Sequence, residues 1–298
     1  MAEVILIETM EQARAAAKAF TKSDGFMAFD TETTGLYVRT EYGDIGRTVQ
    51  ISFRPWETAY VFEMNERYHK AIEYIFSQAT SVVGHNTKFD IHVLASYGIK
   101  VHDLLEPEDI RDTVWVARLY DERERAQLKP LAVAHLGEGA ADEQAALRRL
   151  MKKNEWTWAT VPVKYLVQYG GLDAIYTGEL FDLLYPKISY SYDAYGREQK
   201  LSPLAYEMER AGLLIDEPLL EKVTAELLVE IEEQESAIEA IAPGLNPNAP
   251  HQIKAFFRAE RIELKDTAAP TLKALDHDLA RAVLAYRKSK KMHGTYAA

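Results

Sequence analysis

The chain has 298 residues, 47% of them hydrophobic, which suits an ordinary folded core of one or two domains and argues against disorder. It has no cysteine, so disulfides, thiolate metal sites and a cysteine nucleophile are excluded and a reducing, cytoplasmic setting is expected. The net charge of -11 speaks against holding nucleic acid by global attraction, although local charge decides contact. No apolar run approaches a membrane span and the N-terminus lacks the basic and apolar blocks of a signal peptide, so no membrane partner is expected.

In chain order, Val4 to Ile7 reads as a first strand and Met10 to Phe20, rich in alanine, as a helix. Phe26 to Phe29 is an apolar run that enters two carboxylates, Asp30 and Glu32, and is closed by Thr33, Thr34 and Gly35. Thr48–Phe53 and Ala59–Phe62 lean to strand on either side of Pro55, which predicts a hairpin or meander. Arg67 to Gln78 is helical in spacing, Ser81 to Gly84 is a short strand, and Thr87 to Tyr97 is a helix. Further helices fit Asp112–Tyr120, Leu128–His135, Glu143–Lys153 and Val163–Leu184. Early strands followed by long helices predict an α/β domain with a mixed sheet. Lys187 to Lys200 is dominated by Tyr, Ser, Asp and Gly, so a boundary is expected there, giving domains at 1–190 and 191–298. Beyond it, 201–211, 218–241, 251–259 and 278–289 are helical in pattern, which predicts an all-helical second part.

The chemistry-bearing residues fall in three stretches. Side chains at i and i+2 of a strand share a face, so Asp30 and Glu32 project together, and two close like charges repel unless a cation lies between them. Oxygen ligands of this kind suit magnesium or manganese, although two solvated carboxylates at a strand end would look the same in sequence. Gly84-His85-Asn86-Thr87-Lys88-Phe89-Asp90 sits where a strand turns into a helix; Asn86 and Asp90 are read either as helix-terminus residues or, for Asp90, as a third carboxylate facing Asp30. Tyr169 and Asp173 are four apart and share a helix face. Gly170 and Gly171 between them each cost about 1 kcal/mol against alanine, so something must approach that helix closely or its face must stay open.

The order D-x-E, N-x-x-F-D, Y-x-x-x-D resembles the DEDDy class of 3′–5′ exonucleases, with the ribonuclease-H-like (DnaQ-like) fold. Asp112-Thr113, Leu128-Lys129-Pro130-Leu131 and Asp173-Ala174 with Thr177 and Leu180 look like the proofreading domain of the A-family DNA polymerases. Pro203 to Asp216, Asn246 to Phe257 with Gln252, and Tyr286 to Tyr296 look like that family's helical thumb. The chain stops at Ala298 where that family continues into palm and fingers, so no polymerase activity is expected from it alone.

The resemblance implies hydrolysis of a terminal phosphodiester of DNA by two magnesium or manganese ions. By it, Asp30 bridges both ions, Glu32 and Asp173 hold the one that carries the attacking water, and Asp90 supports the second through water. Tyr169 orients the attacking water. Leu36 is an apolar wedge against the terminal base, Asn86 touches substrate, and Thr31 and Phe89 line the pocket. Arg287, Lys288, Lys290 and Lys291, in a C-terminal stretch without acidic residues, become candidates for phosphate contacts, although basic residues also suit a helix C-terminus through the dipole. The expected partners are a single-stranded DNA 3′ end or a primer-template duplex, with or without a separate polymerase subunit. The rivals are a ribonuclease D-like RNA exonuclease and a non-catalytic module that holds DNA for a separate polymerase.

Overall fold

The computed structural model describes residues 2–38 and 43–297, which form two compact units, Met1–Gly212 and Leu213–Ala298. In the first, six strands make one sheet: β1 (Glu3–Leu6), β2 (Phe26–Thr33), β3 (Gly46–Phe53), β4 (Thr58–Glu63), β5 (Ser81–Gly84) and β6 (Ile110–Asp112), in the order β1-β4-β3-β2-β5-β6. β2, β3 and β4 form an antiparallel meander, and β1, β5 and β6 join it in parallel. The sheet is therefore mixed, as expected. The strand-by-strand reading missed only the three residues of β6, of which one is apolar.

β2 lies inside the sheet, and its alternation sorts its residues between two cores. Met27 and Phe29 pack into one with α1 (Met10–Phe20), α2 (Glu66–Gln78) and α3 (Thr87–Ser96). Phe26 and Ala28 pack into the other, where Phe26 meets Phe181 edge-on at 5.4 Å. The short α4 (Val101–Leu104) adds Val101 to the first core, and the second layer consists of α5 (Thr113–Tyr120), α6 (Leu128–Leu136), α7 (Asp142–Asn154) and the long α8 (Val163–Leu184), with α5, α6 and α8 supplying its core. α1 starts as its sequence dictates: Thr9 accepts from the Gln12 N–H, and the Gln12 side chain caps the Thr9 N–H in return.

The expected irregular linker over 187–200 is corrected. Residues Tyr185–Ser191 form a 3₁₀ stretch, and Tyr192–Ala211 is a helix, α9. The polar composition hid a helical spacing of buried groups. Tyr195 packs into the second core and its hydroxyl accepts from the Asp112 N–H at 3.0 Å, while Gln199 donates to the carbonyls of Glu108 and Ile110. Tyr206, on the same helix, packs into the first core. α9 thus belongs to the first compact unit, which runs past residue 190 to Gly212.

The second unit is helical: α10 (Glu217–Ile241), α11 (Pro250–Ala259), α12 (Ala269–Lys273) and α13 (Asp278–Met292), closed by a π-helical turn, His293–Ala297. Ile231, Ile238, Ile253, Phe257, Leu279 and Val283 form its core. The Gln252 side chain accepts from the Asn246 N–H at 2.7 Å and ties the start of α11 to the turn before it.

Candidate active site

Asp30 and Glu32 share strand parity with Phe26 and Ala28, so they rise toward the α8 layer. α8 reaches the sheet unusually closely, and the two glycines explain how. A Cβ on Gly170 would strike the Gln50 amide of β3, and one on Gly171 would strike the Val4 methyls of β1. This close seat brings Asp173 to the two β2 carboxylates: Asp30, Glu32 and Asp173 each present an oxygen within 4.8 Å of the others.

Asp90 is not in that tight group. It comes from α3, in the other layer, and its Oδ1 accepts from the Thr31 hydroxyl at 2.6 Å. It is 3% exposed and close enough that its charge is the leading electrostatic cause of the raised Asp30 carboxyl after burial. α3 is aimed by Asp112, whose carboxylate accepts from the Asn86, Thr87 and Val114 N–H groups at 2.8–3.0 Å. The cap that the sequence offered to Asn86 therefore belongs to Asp112; Asn86 itself is exposed, in the left-handed region at φ 67°, with no capping bond from its side chain.

The electrostatics follow from packing acids into a closed place. Burial raises all four carboxyls first, and their mutual repulsion raises Asp30 and Glu32 further. Asp90 is pushed up to about 7, with its bonds from Thr31 opposing the shift. Asp173 is pushed up to about 6, held down by the Lys129 ammonium and the Tyr169 hydroxyl. Lys129, on α6, is buried and ion-paired with Asp173 Oδ1, 4.9 Å from the Tyr169 ring centre. Burial, then Asp173, Glu32 and Asp30, raise the Tyr169 phenol far above its ordinary value, so it stays a neutral hydroxyl donor. Tyr165, one turn earlier, packs against the Trp156 ring as core.

Of the remaining expected residues, Leu36 is 80% exposed beside the turn after β2, Thr31 is buried and Phe89 half-buried. Arg287 donates to the carbonyls of Pro247 and Thr267, which makes it a structural tie of the helical unit, while Lys288, Lys290 and Lys291 are exposed. Lys129 is the residue that sequence reasoning passed over as part of the site. It stood in Leu128-Lys129-Pro130-Leu131 as part of the family resemblance and without a role in the site, because at a helix start a lysine is ordinarily solvated.

This arrangement of three converging carboxylates, a fourth behind them and a phenol on the α8 face is accompanied by a family match: residues 4–189 match the 3′-5′ exonuclease family. The chain belongs to the 3′-5′ exonuclease family of the A-type DNA polymerases. It thus carries a nucleic-acid hydrolase domain. The DNA polymerase DpoZ of Salmonella phage PMBT28 is 24% identical over 91% of this exonuclease chain, which spans 47% of that polymerase. Its fold is like that of the polymerase domain of Pol1 from M. smegmatis, solved with a DNA primer-template and dNTP, at a TM-score of 0.68, 19% identity, 97% coverage of this chain and 48% of that one. It is also like E. coli RNase D, at a TM-score of 0.50, 13% identity, 97% coverage of this chain and 75% of that one. No helix among the described residues is long and apolar enough to cross a membrane.

The donor set fits a divalent cation. It offers only oxygen ligands, and the raised carboxyls mark a repulsion that a dication relieves. A pH dependence follows for the metal-free protein. Asp90 and Asp173 titrate higher folded than unfolded, so between about pH 4 and 7 the folded chain binds more protons and stability falls as pH rises through that window. A tenfold difference in proton affinity is worth roughly 1.4 kcal/mol, so the loss is on the order of a few kcal/mol. Urea unfolding in EDTA is expected to give a lower midpoint at pH 8 than at pH 5.5, and Asp90→Asn is expected to narrow that difference.

Proposed function

We propose that this chain removes nucleotides one at a time from a single-stranded or frayed DNA 3′ end, releasing nucleoside 5′-monophosphates, in a soluble cytoplasmic setting beside a polymerase that lies on the same or a separate chain. The convergence of Asp30, Glu32 and Asp173 within 4.8 Å, inside the family-matched region, carries this reading. Asp30, Glu32 and Asp173, with Asp90 behind them, would hold two magnesium or manganese ions, which when bound supply an activated water and charge stabilisation at the phosphate. Thr31 fixes the Asp90 carboxylate by its hydrogen bond. The Tyr169 hydroxyl, neutral at working pH, positions the attacking water as a donor. Leu36 presses on the terminal base, with Asn86 and Phe89 lining its path. A mismatched end enters more readily because it has less unpairing to undergo, a few kcal/mol for a paired base.

The test is a 5′-labelled DNA oligomer with a frayed 3′ end, incubated with the chain and magnesium beside an RNA of the same sequence. Stepwise shortening of the DNA is expected. Faster loss of the RNA would move the assignment to a ribonuclease, and no loss of either would remove it. Tyr169→Phe is expected to slow the reaction by about 10²-fold or more while leaving DNA affinity intact, since one positioned acid–base group contributes roughly 10²–10⁴-fold. An unchanged single-turnover rate would return Tyr169 to a packing role.

For the helical unit we infer a thumb-like role, with backbone contacts from Lys288, Lys290 and Lys291; Arg287 is left out because its donors are already held by carbonyls. Replacing the three lysines by glutamine is expected to weaken duplex binding and reduce the slope of log affinity against log salt by about 2–3. Fluorescence anisotropy at several salt concentrations reads this directly, and an unchanged slope rejects the contact.

A further inference from the structure

Of the four acids, Asp90 alone rides on neither β2 nor α8, so its distance from the others depends on how α3 is seated. On the sheet side the Thr31 hydroxyl donates to Asp90 Oδ1. The opposite side of α3 is held by α9. Lys88 and His92 are four apart on α3 and share a face, while Asp90, two residues from each, lies about 200° around the helix from both. The pair meets a single carboxylate: Lys88 Nζ lies 2.5 Å from Glu209 Oε1, and His92 Nε2 lies 2.8 Å from Glu209 Oε2. A carboxylate only accepts, so His92 donates from Nε2 and each oxygen takes one donor. His92 is fully buried, and the ring of Tyr206, one turn before Glu209 on α9, packs against its imidazole at 4.5 Å.

We propose that Glu209 is a positioning residue for the nuclease site: through Lys88 and His92 it fixes the seat of α3, and so sets how far the Asp90 carboxylate stands from Asp30. The proposal rests on the nuclease reading above. Two donors on one carboxylate resist rotation of α3 as well as its retreat, whereas one ion pair would leave the helix free to turn. An ion pair taken out of water adds little net stability, so the effect of this clamp falls on geometry. Asp90 stands behind the three converging acids, so a loosened α3 weakens the ion it supports before the ion held by Asp30, Glu32 and Asp173. Partners that orient a metal ligand in this way are worth about 10–100-fold in metal affinity. Glu209 lies in the stretch that resembles the entry to a polymerase thumb, yet it reaches back into the first unit.

The experiment uses Mn²⁺ as the probe and reads binding without DNA. The full chain, stripped of metal, is titrated calorimetrically with Mn²⁺. Glu209→Gln is expected to weaken the weaker of two Mn²⁺ ions by about tenfold and to leave the tighter one within about twofold, because an amide oxygen accepts from one of the two donors and its NH₂ faces the other. In cleavage of a labelled oligomer the variant is expected to need about tenfold more magnesium for half-maximal rate, with KM for DNA unchanged. Lys88→Met removes one donor and is expected to shift Mn²⁺ binding the same way by less. Gln199→Ala loosens α9 at the Glu108 and Ile110 carbonyls without touching α3, so it is expected to lower the melting temperature and leave Mn²⁺ affinity unchanged. Equal Mn²⁺ affinity in wild type and Glu209→Gln, or an equal loss in Gln199→Ala, would overturn the clamp. Circular dichroism checks each fold, and if Glu209→Gln does not fold, an unchanged affinity in Lys88→Met overturns it instead. A chain that shows the Mn²⁺ shift but shortens no nucleic acid would sink the nuclease reading and leave the clamp standing.

Discussion

Asp30→Asn is expected to lose hydrolysis by about 10³-fold or more and, with metal chelated, to make the fold more stable than wild type. Both effects come from one position. Asp30 lies on β2 among three other acids, and its carboxyl is raised by burial first and then by Asp90, Glu32 and Asp173. The amide keeps the shape and removes the charge, so the three remaining carboxylates lose a repelling neighbour and metal-free stability rises. The same change deletes one of the carboxylates that would hold the metal ions. Metal stabilisation of the transition state amounts to several kcal/mol, and each 1.4 kcal/mol is a factor of about ten in rate. Single-turnover cleavage of a labelled oligomer and urea unfolding in EDTA read the two halves separately. Wild-type cleavage by the variant rejects the metal assignment; a lower urea midpoint in EDTA rejects the account of repulsion.

The pairing of gain and loss explains what the sequence could show of this site. Asp30 and Glu32 were legible because strand parity is a local rule, and Tyr169 and Asp173 because helix spacing is another. The glycines between the latter two carried a tertiary message in local form: Gly170 and Gly171 are unfavourable in an isolated helix and make sense only against a neighbour, here Gln50 and Val4. Asp112 as the cap of α3 was not legible, since its acceptor role joins residues more than twenty positions apart across β5 and β6. Lys129 was hidden for a similar reason. No periodicity distinguishes a lysine that folds back on a carboxylate from one in water; only the meeting of α6 and α8 does. The stretch after Pro186 misled in the other direction, because Tyr, Ser and Gly read as loop while Tyr195 and Gln199 anchor a helix through bonds to backbone groups of another segment. In each case the missing information was the identity of a distant partner.

Gly171→Ala is expected to destabilise the first unit and disable the site, whereas the same change at Gly196 is expected to do neither. Both glycines lie in helices, α8 and α9, where alanine by propensity gains about 1 kcal/mol. At Gly196 an added Cβ meets nothing within 4 Å, so the propensity gain stands. At Gly171 it falls on the Val4 side chain of β1, and the helix must retreat or the strand must shift. Overpacking of this kind costs about 1–3 kcal/mol, which outweighs the propensity. Function suffers more than stability. Tyr169 and Asp173 ride two residues to either side of the contact, and a displacement near 1 Å costs about 10²-fold in rate. Val4→Ala removes the methyls that the new Cβ would strike, so the pair Val4→Ala/Gly171→Ala is expected to regain rate relative to Gly171→Ala alone, although Val4→Ala by itself gains nothing. Thermal melting and single-turnover cleavage across this double-mutant cycle decide the matter. If Gly171→Ala cleaves as fast as Gly196→Ala, the close seat of α8 on the sheet is not what holds the tyrosine and the aspartate in place.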